Sequence, residues 1–256
     1  MLLEVKNLSK QFTTGAFKNK KFFAVDDVSF GIDEGEIFGL IGGSGSGKTT
    51  LIKMILGLLR PTAGEIIFDG QDLVKLKKKG WKAVRKDMQA VFQHPHQTFN
   101  PRGTIAFACS EPAVNYGLVK NRQEKQELIE GLISQVGLTK EQLRKYPHEI
   151  SGGQAQRLSI IRAMSLEPKF LICDEPTSML DVSVQAQILN LLKKKHEENN
   201  LGMLFISHDL EVIRSFCHRV AVMKDGRVVE MGTTGQVFEH PQDEYTKELL
   251  SSRMVY

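Results

Sequence analysis

The chain has 256 residues, 41% hydrophobic and 25% charged, with 34 Lys+Arg against 30 Asp+Glu for a formal charge of +4. This composition describes a globular chain able to bury a core; it excludes disorder, a collagen-like repeat and a small disulfide-stapled scaffold. At ~150 residues per domain the length corresponds to one large domain or one with a sizeable insertion, and so small a net charge does not call for nucleic acid as a partner.

The N-terminus, MLLEVKNLSK, carries an acid at position 4 and lacks an uncharged core, so it does not read as a signal peptide. Residues 2–8 and 24–32 alternate apolar and polar positions as half-buried antiparallel strands do, with Val25, Val28, Phe30 and Ile32 inward. The Gly- and Lys-rich stretch 13–23 between them reads as a loop. IFGLI (37–41) is a continuous apolar run, the mark of a strand buried on both faces. A helix is expected over 48–59, stopped by Pro61. Its apolar stretch 51–60 is interrupted by Lys53 and falls short of the ~20 residues that a membrane span needs. EIIFDG (65–70) is a strand ending in an Asp-Gly turn. The basic run KLKKK (75–79) reads as a solvated face, with a phosphate-binding patch as the alternative.

From Trp81 to Met164 the pattern becomes helical, most clearly over 123–138, and residues 94–163 are expected to form a mainly helical insertion. The strand signal returns at FLIC (170–173), followed by a helix over 184–198 and a strand at MLFIS (203–207). VAVMKDGRVVE (220–230) reads as a hairpin about Asp225-Gly226, and the last twenty residues as a surface helix. Buried strands alternating with helices predict a parallel sheet covered on both faces. Cys109, Cys173 and Cys217 lie far apart without CxxC spacing, which points to a reducing compartment and away from a structural metal.

GGSGSGKT (42–49) fits G-x-x-x-x-G-K-[ST] through Gly42, Gly47, Lys48 and Thr49, between an expected strand and an expected helix. Such a loop turns consecutive backbone N–H groups toward an anion: Gly42, Gly43, Ser44, Gly45, Ser46 and Gly47 form the cradle, with Thr50 extending it. Lys48 can reach the β- and γ-phosphates, and the Thr49 hydroxyl can ligate Mg²⁺. FLICDE (170–175) ends a buried strand in two acids. Asp174 suits a Mg²⁺-linked role and Glu175 the general base for an attacking water. In ISGGQ (150–154), Ser151 and Gln154 have capping-box spacing; with Gly152 and Gly153 they also make a second anion-binding helix start, one that can serve a nucleotide held by another molecule.

Together these residues resemble the ATP-binding subunit of an ABC transporter over nearly the whole chain. GGSGSGKT resembles Walker A, FLICDE Walker B with its catalytic glutamate, and ISGGQ the signature motif. Gln93 matches the Q-loop glutamine that touches Mg²⁺ and senses the membrane subunits. SMLD (178–181) resembles the D-loop through Asp181, with Met179 where Ala is usual. His208 matches the switch histidine at the γ-phosphate. Phe12 is the candidate for stacking on adenine, with Phe22 and Phe23 as competitors.

The resemblance implies an α/β P-loop NTPase fold with a mixed-sheet core, an N-terminal antiparallel β-subdomain and a helical subdomain insertion. The nucleotide-binding core is expected over 1–93 and 164–232, the signature subdomain over 94–163 and a helical tail over 233–256. It implies an ATPase using ATP and Mg²⁺, with Glu175, His208 and Lys48 catalytic, at the cytoplasmic face of the cell membrane. Its implied partners are a second, different cassette, two transmembrane permeases and, through them, an extracytoplasmic substrate-binding protein.

Residues 180–192 and FNPRGTI (99–105) are similar to the peptide and nickel branch of importers. Ala155 stands where Arg is common, which leaves the neighbouring surface open. The chain stops at Tyr256 without the Cys-containing extension frequent in peptide-type members, and this moves the expectation toward a metal or metal chelate. DNA-maintenance ATPases share the motifs but set hundreds of coiled-coil residues between phosphate loop and signature, against 103 here from Lys48 to Ser151. Translation-associated ATPases carry two cassettes in one chain.

Overall fold

The computed structural model describes residues 1–14, 20–178 and 180–253. Met179, Tyr256 and residues 15–19 of the expected loop lie outside the described residues. In chain order the elements are β1 (Leu3–Thr14), β2 (Lys20–Ile32), β3 (Ile37–Ile41), α1 (Lys48–Ile55), β4 (Ala63–Phe68), β5 (Gln71–Asp72), α2 (Lys78–Asp87) and β6 (Met88–Val91). There follow α3 (Ile105–Asn115), α4 (Arg122–Gln135), α5 (Gly152–Met164), β7 (Phe170–Asp174), α6 (Val182–Asn199) and β8 (Gly202–Ile206). The chain ends with α7 (Leu210–Phe216), β9 (Arg219–Lys224), β10 (Arg227–Thr233), α8 (Thr234–Glu239) and α9 (Glu244–Arg253). These divide into two units, Met1–Val84 with Gly202–Tyr256, and Arg85–Leu201.

In the first unit β3 is buried at all five positions. It lies between β8 and β9, parallel to both, while β10 pairs antiparallel with β9, so the sheet is mixed. A separate antiparallel sheet has the order β2-β1-β4-β5. Val25, Val28, Phe30 and Ile32 are all buried as expected. The three-residue step from Val25 to Val28 is a bulge: the register shifts where Leu8 faces Val28 and Lys10 faces Val25, and Asp27 sits at φ 53°.

The structure corrects three boundaries. Residues 13–14 and 20–23 continue strands β1 and β2 in register, Phe12 opposite Phe22, where a loop was expected. The expected helix 48–59 ends at Ile55, because Gly57 turns at φ 67° and the N–H of Leu58 reaches back to Lys53; the Trp81 ring fills the space where a Gly57 side chain would stand. The C-terminal stretch is two helices broken at Pro241, not one surface helix, and Thr246, Leu249 and Leu250 of α9 are buried. The basic run is solvated: Lys77, Lys78 and Lys79 are exposed, and Lys75 pairs with Asp72 at 2.7 Å.

In the second unit β6 runs parallel to β7. Helices α3, α4 and α5 close a core through Ile105, Ile129, Leu132, Leu158 and Ile161. Ala155 belongs to that core at 0% exposure, so its departure from Arg alters packing and not the surface. The three cysteines are buried, and among the described residues none is joined in a disulfide. Burial pushes the Cys109 thiol up to about 12 and raises that of Cys217, so both act as small apolar side chains. No described helix is long and apolar enough to cross a membrane.

Leu158 is fully buried. Leu158→Ala is therefore expected to cost about 2–5 kcal/mol of stability, read as a lowered urea midpoint; an unchanged midpoint would show that this core is not tightly packed.

Candidate active site

Strand β3 delivers the chain to the glycine-rich loop. Gly42, Gly45 and Gly47 take φ of 153°, 79° and 106°, values that side chains resist. Space demands glycine as well as conformation. A Cβ on Gly42 would fall 2.2 Å from the Met223 carbonyl oxygen, and one on Gly47 2.3 Å from that of Ala24. From the hairpin turn, Gly226 N–H donates to the Ser46 carbonyl at 3.0 Å. Lys48 Nζ donates to the Gly42 and Gly43 carbonyls, each at 2.9 Å, and to Ser46 Oγ at 3.1 Å. Gly47 is the N-cap of α1 and supplies no side-chain cap, so the first amides of α1 face outward for an acceptor.

The loop floors a cavity of about 500 Å³ lined by the run Gly45 to Thr50, by Asp225, and by Phe12, Phe22 and Phe23. That volume suits a small-molecule ligand. Phe12 and Phe22 stack at 5.8 Å between centroids, and Lys10 Nζ lies 5.3 Å from the Phe12 ring. The three phenylalanines weighed for adenine thus share one wall, and the Phe12–Phe22 pair presents it with a polarised aromatic surface. His208 belongs to the same unit. Ile206 pairs with Leu40 in the β8–β3 register, and His208 and Gly42 each lie two residues further on, at the same end of the sheet. His208 is exposed there, with Asp209 capping α7 behind it.

In the second unit the register pairs Val91 of β6 with Cys173 of β7. Gln93 and Glu175, each two residues beyond, therefore lie at a common strand end next to Asp174. Glu175 holds φ 51°, uncommon for a residue with a side chain, and its carbonyl accepts from Ser178 N–H and Oγ. Ser151 is the N-cap of α5 in a complete capping box: its Oγ accepts from Gln154 N–H at 3.3 Å, and Gln154 Oε1 accepts from Ser151 N–H at 3.1 Å. Ser151 and Gly152 are exposed, whereas Gly153 is buried. A Cβ on Gly153 would meet Val184 Cγ1 at 2.6 Å, so this glycine allows α5 to approach α6.

Asp181 caps α6 by accepting from Val184 N–H at 2.9 Å. The Ser183 hydroxyl and then that amide hold its carboxyl below the usual range. Gln93, Gly152, Gln156, Ser178 and Leu180 line one cavity of about 220 Å³.

Two ligand classes can be tested against these residues. The loop is a glycine-rich turn in which Gly42 and Gly47 leave no room for a side chain, set at the start of a helix beside one ammonium, and it fits a polyphosphate. Thr49 of the first unit and Gln93 and Asp174 of the second each carry a side-chain oxygen, the donor class that a hard cation such as Mg²⁺ takes. Among the described residues no three His, Cys, Asp or Glu side chains cluster as a metal site. Sequence reasoning missed the walls of the cradle. Met223, Asp225 and Gly226 read only as hairpin residues, and Tyr245, whose hydroxyl accepts from Gly43 N–H at 2.9 Å, gave no signal.

The family model described as ABC transporter matches residues 25–178. The oligopeptide transport ATP-binding protein OppF of Streptococcus mutans is 46% identical over 251 residues, covering 98% of this chain and 81% of that protein. OppF of Escherichia coli is 42% identical over 258 residues, covering 98% and 77%. Among solved structures, the ATP-binding cassette MJ0796, a dimer in a post-hydrolysis state bound to ADP and Pi, superposes with a TM-score of 0.81 at 29% identity over 91% of this chain and 99% of that one. The protein cbiO1 from Clostridium perfringens, part of the ABC transporter complex cbiONQ, reaches 0.79 at 29% identity over 93% and 91%.

Gly47→Ala should force both a left-handed alanine and a clash at Ala24. With strain of about 1–3 kcal/mol, ATP affinity by calorimetry is expected to fall about 10–100-fold; unchanged affinity would remove the loop from the binding site.

Proposed function

Because the chain belongs to the ABC transporter family, as one of its ATP-hydrolysing cassettes, we propose that it energises an importer of oligopeptides at the cytoplasmic face of the cell membrane. The identity of 46% over 98% of the chain to an oligopeptide transport ATP-binding protein carries this reading, and it favours a peptide over the metal chelate that the chain's end had brought forward. The cassette acts with a second cassette, which we take to be a different chain, and with two permeases that receive its motion. Recognition of the peptide falls to an extracytoplasmic binding protein.

In this reading the loop from Gly42 to Thr50 holds the triphosphate through its amides, except that of Gly43, which is given to Tyr245; Lys48 neutralises its β- and γ-oxygens, and the Phe12–Phe22 pair takes the adenine. Thr49, Gln93 and Asp174 hold Mg²⁺, which when bound offsets charge on the phosphate oxygens. The Glu175 carboxylate accepts a proton from water as the water oxygen bonds to the γ-phosphorus and the bridging bond to the β-phosphate breaks. His208 donates to the γ-phosphate oxygens. Residues 94–163 serve as the signature subdomain and 233–256 as the tail of the nucleotide-binding core.

The cap comes from a facing cassette: Ser151, Gly152 and Gly153 at the start of α5, with Gln154 holding Ser151 in place and Asp181 setting the neighbouring helix. ATP then favours the closed pair because it binds that pair more tightly than either cassette alone, and hydrolysis withdraws the preference. Gln93 and the cavity beside it pass this closure to the permease.

Two experiments test this reading. Glu175→Gln is expected to keep ATP binding and to lower turnover by about 10²–10⁴, a barrier increase of ~3–5 kcal/mol; near-normal phosphate release would take Glu175 out of the base role. Ser151→Arg is expected to leave ATP binding by the single cassette intact and to abolish ATP-dependent association, followed by sedimentation alone and with the companion cassette. Association that persists in the variant would refute the shared site.

A further inference from the structure

We propose that Tyr245 is a positioning residue for the phosphate loop: its hydroxyl pins the Gly43 peptide and so sets the run of amides that receives the phosphates. Gly43 N–H donates to Tyr245 Oη at 2.9 Å. The cavity is lined by the loop from Gly45 to Thr50, whereas the Gly43 amide, just before that run, is engaged by the tyrosine. The Gly43 carbonyl, on the other side of the same residue, accepts from Lys48 Nζ at 2.9 Å and from Ser46 N–H at 3.3 Å. An ammonium has three protons to give. A phosphate that draws on Lys48 competes with the Gly43 carbonyl for it; that carbonyl keeps the weaker Ser46 N–H, while Tyr245 holds the amide on the other side of the residue independently of Lys48.

Tyr245 is itself held from three directions. Its own N–H donates to Asp243 Oδ1 at 2.8 Å. Glu230 of β10 accepts from Gln242 N–H at 2.8 Å and from Asp243 N–H at 3.1 Å, which fixes the entry to α9. Lys224 Nζ stands 4.6 Å from the Tyr245 ring centroid. The hydroxyl is thus delivered to the loop by a braced helix start. A Cβ on Gly43 would come within 3.0 Å of it, so the fit is close as well as bonded.

The inference rests on the nucleotide-binding reading of the loop, and the test separates the two. Tyr245→Phe in the full chain keeps the ring under Lys224 and removes only the oxygen. The expected result is ATP Kd by calorimetry and KM in the assembled transporter both raised about 3–10-fold, with kcat held within about twofold. Glu230→Ala, which releases the α9 entry, should raise KM in the same direction.

Gly43→Ala should weaken ATP binding in the wild-type background and cost much less when combined with Tyr245→Phe, because the oxygen it presses on is gone. A purely structural role would lower the thermal midpoint without the KM shift or the non-additivity. Unchanged Kd and KM in Tyr245→Phe, or strictly additive costs in the cycle, would overturn the proposal. Failure of the wild-type chain to bind ATP, or full binding by Lys48→Ala, would overturn the nucleotide reading itself.

Discussion

A loop can aim several amides at one anion only if its backbone turns through conformations that side chains resist, and here that turn is wedged between carbonyl oxygens. Gly42 lies against Met223 and Gly47 against Ala24, so at these two positions the loop has no room for a larger residue. Everything else in the first unit serves this clamp. The buried run of β3 brings the chain in, α1 carries it away with its first amides uncapped, and the β9–β10 turn closes the side through Gly226. The positive end of α1 and the Lys48 ammonium add charge where geometry has already fixed direction.

The second unit uses glycine for a different end. Gly153 does not need a left-handed backbone; it is small so that α5 can lie against Val184 of α6. The exposed Ser151–Gly152 tip is therefore presented by a helix whose position is set by packing, and Asp181 caps the helix it packs against. The strained Glu175 adds a third fixed point, its carbonyl held by Ser178. Cradle and cap are thus each positioned by contacts within their own unit, as the proposed closure by a facing cassette would require.

Much of this was legible in the sequence because the relevant signals are local. The spacing of Gly42, Gly47, Lys48 and Thr49 and the apolar runs at 37–41 and 170–173 specify strand, loop and helix within a few residues. What escaped was non-local. Gly57, whose left-handed turn ends α1, also leaves the space that Trp81, 24 positions later, occupies. The stretch that looked like a Lys-rich loop continues as strand because Phe12 and Phe22 pair across it. Ala155 looked like a surface departure until α3 and α4 closed over it. Tyr245 stands 202 positions from Gly43, and nothing in either neighbourhood announces the bond.

The hairpin that walls the phosphate loop has a consequence for how the protein is made. The loop's own residues are all joined once Thr50 is added, yet Met223 and Gly226, which shape it, come about 175 residues later. At a synthesis rate of about 5–20 residues per second this is a delay of roughly 9–35 seconds. For most of that interval β3 has neither of its parallel neighbours, β8 and β9. The phosphate loop thus acquires its final walls only once the β9–β10 hairpin has been made.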